Sequence, residues 1–153
     1  MERNEAADRE QNWGNSASVT LVDDGMHFVG EVDGFSVDLD ADEGVGGMNA
    51  GASPLHLLLL SIAGCTAMDV VSILRKKREQ VTGLSVEVQG KQRAEHPKVY
   101  ESIEMLYRVR GRGVDPKAAD RAIELSQTKY CPVIAMLGET AKITSSCEIE
   151  EEE

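Results

Sequence analysis

Two cysteines stand in settings where thiols can carry out redox chemistry. Cys65 lies inside an apolar run that begins at Leu57, and Cys131 directly precedes Pro132. Proline is preferred at the first position of a helix, so Cys131 is predicted to lie at a helix N-terminus, where unpaired N–H groups favour a thiolate. Because the thiolate is the reactive form of cysteine, the pair predicts thiol chemistry, with Cys131 in the better local setting to ionise.

Cys65 lies on a polar stripe of its predicted helix. At about 100° per residue, Ser61, Cys65, Asp69 and Ser72 fall on one side of the helix. The stripe is either part of a reactive site or simply the side that meets solvent, with Cys65 as a small apolar filler. The negative charge of Asp69 disfavours a thiolate one turn away, so a reactive Cys65 needs a cation or hydrogen-bond donor from elsewhere in the fold.

The remaining candidate ligands suggest no further site. Cys147 alternates with apolar residues in a predicted final strand, and we expect it to face the core without a catalytic role. A metal site built from Cys65, Cys131 and His56 would lack both Cys-x-x-Cys and His-x-x-x-His spacing. We therefore predict catalytic residues Cys65 and Cys131, no metal and no cofactor.

Composition narrows the classes of protein. The chain has 153 residues, 27 acidic against 16 basic side chains, and a net charge of −11. This length suits one domain, and this charge repels nucleic acid and anionic membrane surfaces. The run Leu57–Ala63 is too short to span a bilayer, and three cysteines are too few for a disulfide scaffold. We expect a cytoplasmic protein whose disulfides are transient.

Hydrophobic periodicity and turn residues predict an α+β fold of order β-β-β-α-β-β-α-α-β. The expected parts are a loose N-terminal arm (1–16), a single domain (17–149) and an acidic tail (150–153). Turns at Asp24-Gly25 and Asp33-Gly34 separate the first three strands, and Ser53-Pro54 begins a helix that is apolar on most of its circumference. Such a helix belongs at the centre of the fold or of an oligomer. The predicted strands are 18–22, 26–30, 35–39, 84–90, 99–109 and 141–148, and the predicted helices are 53–78, 115–130 and 131–138.

Two segments around the third strand have distinct predictions. Phe35, Val37 and Leu39 alternate with polar residues, which predicts one buried and one wet face. The acidic and glycine-rich segment 40–51 lacks the lysine and glycine spacing of a phosphate-binding loop. It is predicted to be a flexible connector.

Two longer stretches resemble a known family. The run from Ser53 to Leu74, which contains Cys65, and the run Leu125-Ser-Gln-Thr-Lys-Tyr-Cys-Pro-Val are similar to those of the OsmC/Ohr family of thiol peroxidases. The resemblance covers residues 17–149. It implies an intertwined homodimer in which Cys65 attacks organic hydroperoxides or hydrogen peroxide and becomes a sulfenic acid. It also implies that Cys131 then forms a disulfide with Cys65, which a dithiol of lipoyl or thioredoxin type reopens.

The chain departs from the family at two supporting positions. Leu55 and His56 stand where active members have a glutamate. Active members also use an arginine from the N-terminal strand region, and the first predicted strand of this chain contains none. His56 cannot replace the missing group within one straight helix, because nine residues place it about 180° around the axis from Cys65. Either other groups activate Cys65, or the protein is a weakly redox-active member that binds a small apolar ligand or senses oxidants.

Overall fold

The computed structural model describes residues 14–153, in the order β-β-β-α-β-β-α-α-β that the sequence predicts. Residues 1–13, which include most of the predicted N-terminal arm, lie outside the described residues. The chain forms two compact units, one ending at His56 and the other spanning Leu57–Glu153. The elements are β1 (Ala17–Leu21), β2 (Phe28–Val32), β3 (Phe35–Leu39), α1 (Pro54–Lys76), β4 (Gln80–Gln92), β5 (Tyr100–Arg112), α2 (Pro116–Leu125), α3 (Pro132–Leu137) and β6 (Lys142–Glu151).

The first unit contains the predicted antiparallel meander β1-β2-β3. Asp33 and Gly34 both have positive φ, of 52° and 80°, and form the tight turn between β2 and β3. The earlier connection is longer than predicted, because the Asp23 carboxylate accepts a hydrogen bond from the Gly25 N–H at 2.8 Å and forms a local turn. Consequently β2 begins at Phe28, two residues later than expected from the sequence.

The prediction that Phe35 and Val37 of β3 lie on a buried face is wrong for the single chain. Phe35 is 73% exposed and Val37 is 36% exposed, although the apolar and polar residues do alternate along the strand. Alternation identifies which side chains share a face, but it does not say whether the same chain covers that face. The first unit therefore carries an uncovered apolar surface.

The segment 40–51 is ordered, which corrects the prediction of a flexible connector. Asp40 is 4% exposed, and its carboxylate accepts N–H bonds from Ala41, Met48 and Ala50 at 2.7 to 3.1 Å. Burial pushes the pKa of Asp40 upward, but these three bonds outweigh it, and the pKa lies below its ordinary value. The glycines permit close packing, since a Cβ at Gly47 would lie 1.9 Å from the carbonyl oxygen of Ala41. One buried carboxylate thus organises the whole segment.

The second unit is built on a three-stranded sheet in which β5 is central. It pairs antiparallel with β4 and parallel with β6. The pairing with β6 continues to Glu151, so the first two residues of the predicted acidic tail belong to the strand. The core joins one face of β5 to α1, α2 and α3; its fully or nearly fully buried members are Ile62, Val70, Leu74, Ile103, Met105, Tyr107, Val109, Ala119, Ala122, Ile123 and Ile134.

Only one row of α1 is fully buried within the protomer. Its four buried residues, Ile62, Thr66, Val70 and Leu74, recur every fourth position. Leu60 and Met68 are 67% and 73% exposed, so the protomer does not cover most of the apolar circumference. By length and composition α1 could cross a membrane, contrary to the prediction from its shorter apolar run, but the central helix of a soluble fold meets the same two criteria.

Candidate functional site

A turn of π-helix positions Cys131. Asp115 caps α2 by accepting a hydrogen bond from the Lys117 N–H at 2.9 Å, and α2 ends at Leu125. The chain then forms a π-helical turn, Ser126–Tyr130, closed by a 2.8 Å bond from the Cys131 N–H to the Ser126 carbonyl. The sequence predicted one continuous helix through residue 130. The wider turn brings the Ser126 and Cys131 backbones into direct contact, and such turns are frequent at functional sites.

The Cys131 thiol lies at the predicted helix N-terminus, but it does not have the predicted tendency to ionise. Its Sγ accepts a hydrogen bond from the Ile134 N–H at 3.4 Å, and the residue is only 3% exposed. Burial, helped by the nearby Cys65, raises the pKa of Cys131 to about 11, although N–H groups at the helix start lower it in part. The expectation of a thiolate at this position is therefore wrong, because desolvation outweighs the helix end.

The structure brings the two predicted site residues together. Cys65 lies close enough to the Cys131 thiol to help raise its pKa, and both cysteines are free thiols. Cys65 is partly exposed, whereas Cys131 is buried. A reagent from solvent therefore meets Cys65 first, and Cys131 lies behind it as the adjacent thiol.

A buried chain of hydroxyl groups lies beside the thiols. The Thr66 hydroxyl is 2.8 Å from both the Tyr107 hydroxyl and the Ser126 hydroxyl, and Ser126 donates to the Asp69 carboxylate at 2.9 Å. The Gln127 amide donates to the Tyr107 oxygen at 3.3 Å. Thr66, Tyr107 and Ser126 have no exposed surface. Burial raises the pKa of the Tyr107 phenol more than the hydrogen bonds with Thr66 and Gln127 lower it, so the phenol remains protonated at neutral pH.

The residues of the predicted polar stripe on α1 differ in burial. Ser61 and Ser72 are exposed, as expected of a side that meets solvent. Cys65 and Asp69 are partly buried and contact the thiol of Cys131 and the hydroxyl of Ser126. Asp69 also lines an open groove of about 360 Å³, together with Ser72, Ile73, Lys76, Lys77, Leu125 and Tyr130. The stripe therefore runs from solvent to the thiols.

The other candidate ligands are His56 and Cys147. His56 is exposed on the first turn of α1. Cys147 is partly buried in β6, and burial followed by the charges of Asp120 and Glu148 raises its pKa. Among residues 14–153, no three His, Cys, Asp or Glu side chains group closely enough to hold a metal ion.

The sequence alone does not predict the hydroxyl chain. Tyr107 lies on the inward face of β5, beside Ile103, Met105 and Val109, and this pattern gives no partner for its hydroxyl. Ser126 follows Ala119, Ala122 and Ile123 at helical spacing, on what becomes the buried face. A buried hydroxyl needs a hydrogen-bond partner, so polar residues at these core positions were the signal that could have identified the network.

The fold and the site define a class: α+β proteins in which a thiol on a long apolar helix lies against a second thiol at the start of a short one. Within that class the chain belongs to the OsmC family. The family model described as "OsmC-like protein" matches residues 46–146, which include both cysteines.

Three similar proteins illustrate the relationship. Protein YhfA of Escherichia coli K12 is 35% identical over 127 residues, which cover 82% of this chain and 92% of YhfA. The crystal structure of a hypothetical protein from Aquifex aeolicus VF5 is 33% identical, with a TM-score of 0.80 over 91% of this chain and 98% of the other. An organic hydroperoxide resistance protein from Elizabethkingia anophelis shares the fold, with 14% identity and a TM-score of 0.70 over 92% and 99%.

Proposed function

We propose that this protein is a thiol-dependent peroxidase that reduces organic hydroperoxides or hydrogen peroxide, with Cys65 as the nucleophile and Cys131 as the resolving cysteine. The observation that carries the proposal is a partly exposed Cys65 near enough to a buried Cys131 to raise its pKa. Membership in the OsmC family, which includes proteins named for organic hydroperoxide resistance, supports the choice of substrate.

The first step oxidises Cys65. Its thiolate attacks one oxygen of the peroxide, the O–O bond breaks, and, with one proton taken from solvent, the products are a Cys65 sulfenic acid and an alcohol or water. In the second step the Cys131 sulfur attacks the Cys65 sulfur, a disulfide forms, and the hydroxyl leaves with the thiol proton as water. A dithiol of lipoyl or thioredoxin type then reduces the disulfide and is itself oxidised.

The raised pKa of Cys131 suits this division of labour. A sulfur that stays protonated does not compete with Cys65 for peroxide, yet it lies in contact with the sulfur on which the sulfenic acid forms. We further place the protein in the cytoplasm, where reducing conditions would restore both thiols after each cycle.

The test is consumption of cumene hydroperoxide in the presence of a dithiol. The wild-type protein should act well above the background rate, and Cys65→Ser should not exceed it. Cys147→Ser is the matched control, because it removes the third thiol, which has no role in the proposed cycle, and it should keep the wild-type rate. A wild-type rate no higher than that of Cys65→Ser would refute the proposal.

The proposed active form is an intertwined homodimer. Exposed apolar side chains of the single chain support this dimer. They are Leu60 and Met68 on α1 and Phe35 in the first unit. Sedimentation velocity should give twice the chain mass for the wild type. Leu60→Glu should shift the protein toward monomer, whereas Lys117→Glu, at an exposed polar position, should not. A monomeric wild-type protein would contradict the dimer.

The second candidate function is a non-catalytic or weakly redox-active protein that binds a small apolar ligand or senses oxidants. The groove lined by Ile73, Leu125 and Tyr130 favours it, as do Leu55 and His56 at the position of the family glutamate. Mass spectrometry after mild peroxide treatment separates the two functions. Rapid loss of two hydrogens in a Cys65–Cys131 disulfide supports catalysis, and persistent free thiols support the binding protein.

A further inference from the structure

We propose that Thr66 and Ser126 are positioning residues that hold the Cys131 sulfur against Cys65, through the buried hydroxyl chain Tyr107–Thr66–Ser126–Asp69. The biological purpose of this positioning rests on the proposed function. The positioning itself predicts the rate of exchange between the two thiols, and that rate can be measured without peroxide.

Ser126 connects the two segments that carry the cysteines. Its carbonyl accepts the Cys131 N–H at 2.8 Å, and its hydroxyl contacts α1 at both Thr66 and Asp69. Thr66 directly follows Cys65 in α1. One serine therefore ties the backbone of the second cysteine to the residue beside the first.

The carboxylate at the end of the chain determines the direction of every bond. Asp69 can only accept when ionised, so Ser126 donates its single hydroxyl hydrogen to it. Ser126 must then accept from Thr66, and Thr66 must accept from Tyr107. The Gln127 amide donates to the Tyr107 oxygen and completes the sequence of donors.

The Tyr107 hydroxyl has one alternative acceptor, the Met105 Sδ at 3.9 Å, which is a weak one. Each bond is desolvated, because Thr66, Ser126 and Tyr107 are fully buried, and loss of one hydroxyl leaves its neighbours unsatisfied. The π-helical turn permits both bonds of Ser126: its hydroxyl bonds Thr66 of α1 while its carbonyl accepts the Cys131 N–H. Thiol exchange needs close approach of two sulfurs, so loosening this connection should slow it.

The experiment uses 5,5′-dithiobis(2-nitrobenzoate) on the full chain carrying Cys147→Ser, so that two thiols remain. Attack by the Cys65 thiolate breaks the reagent's disulfide, joins one aromatic thiol to Cys65 and releases the other. Attack by Cys131 on the Cys65 sulfur then forms the protein disulfide, releases the second aromatic thiolate and gives the Cys131 proton to solvent. We expect two equivalents, the second in a phase independent of reagent concentration.

Three substitutions separate hydrogen bonding from packing. Thr66→Val keeps the shape and loses the hydroxyl, and it should slow the second phase about tenfold or more while changing the first less than about twofold. Thr66→Ser keeps the hydroxyl and loses a methyl group, and it should stay close to the wild-type rate. Thr128→Ala is the matched control, because Thr128 lies in the same π-helical turn and its exposed hydroxyl donates to the Glu124 carbonyl of α2.

The outcomes are distinct. A slow second phase in Thr66→Val but not in Thr66→Ser supports the positioning role even if the protein reduces no peroxide. A second phase within about twofold of wild type in Thr66→Val, a reversed order of the two Thr66 variants, or fewer than two equivalents from the parent protein would each overturn it. If Thr66→Val does not fold, Tyr107→Phe removes the next hydroxyl, and an unchanged second phase there would overturn the inference equally.

Discussion

Burial of Cys131 makes the stability of the reduced protein depend on pH in the alkaline range. The pKa of Cys131 is about 11 in the folded protein, against an ordinary value of 9.0. The folded state therefore holds this proton more tightly than the unfolded state does. A group with a raised pKa contributes its full stability below the unfolded value, and this contribution is lost as pH rises from about 9 toward 11.

The expected size follows from the two pKa values. Between pH 8 and pH 10 the unfolded chain releases most of the Cys131 proton and the folded protein little of it. Linkage then lowers the free energy of unfolding by about 1 kcal/mol, and the loss approaches about 3 kcal/mol at high pH. The Cys131 side chain is almost fully buried, so solvent screening does not reduce this figure appreciably.

Urea unfolding of the fully reduced protein at pH 8, 9 and 10 provides the assay. The difference between wild type and Cys131→Ser isolates this thiol, because Tyr107 and Cys147 also have raised pKa values and titrate in both proteins. The advantage of wild type over Cys131→Ser should shrink by about 1 kcal/mol from pH 8 to pH 10. A difference that stays constant, or that grows with pH, would refute the argument that burial controls this thiol.

Three further predictions concern other elements. Asp115→Ala should lower the free energy of unfolding by about 1 kcal/mol through loss of the α2 cap, measured by urea unfolding, and a change near zero would contradict the capping role. Gly47→Ala should disrupt the segment 40–51 and lower the melting temperature, because the new Cβ meets the Ala41 carbonyl, whereas Gly44→Ala should be mild since only a side chain lies near. Asp40→Asn should speed amide exchange at Met48 near neutral pH, because the Met48 N–H donates to the Asp40 carboxylate. In wild type the stability that ionised Asp40 contributes should be lost only as pH falls below 3.8, because the pKa of Asp40 is lowered from that value. Equal exchange in both proteins at neutral pH would refute the Asp40 prediction.

The sequence predicts the order of elements because the signals are local. Asp33-Gly34 supports the positive φ of its turn, Asp115-Pro116 begins α2, and the alternation of Ile103 through Val109 marks the inward face of β5. Burial is not a local property. Phe35 and Leu60 have the pattern of core residues but lie exposed in the protomer, because a periodicity cannot say which surface will cover an apolar face.

The local setting of the two thiols could be predicted from the sequence, but their electrostatics could not. The setting of Cys131 before Pro132 correctly indicated a helix start, yet the pKa depends on how deeply the thiol is buried by elements remote in sequence. Thr66 and Ser126 are 60 positions apart, and a hydrogen bond between them exists only once α1 and the π-helical turn pack together. Such contacts leave no spacing signal in one sequence.

The most direct measurement of thiol peroxidase chemistry is a single-turnover reaction. The reduced protein receives one equivalent of cumene hydroperoxide, free thiols are then alkylated, and the linked peptides are identified by mass spectrometry. We expect rapid formation of a disulfide between Cys65 and Cys131, and accumulation of a Cys65 sulfenic acid in Cys131→Ser. Unmodified thiols after exposure to peroxide, or a disulfide that includes Cys147, would contradict the proposed roles of the two cysteines.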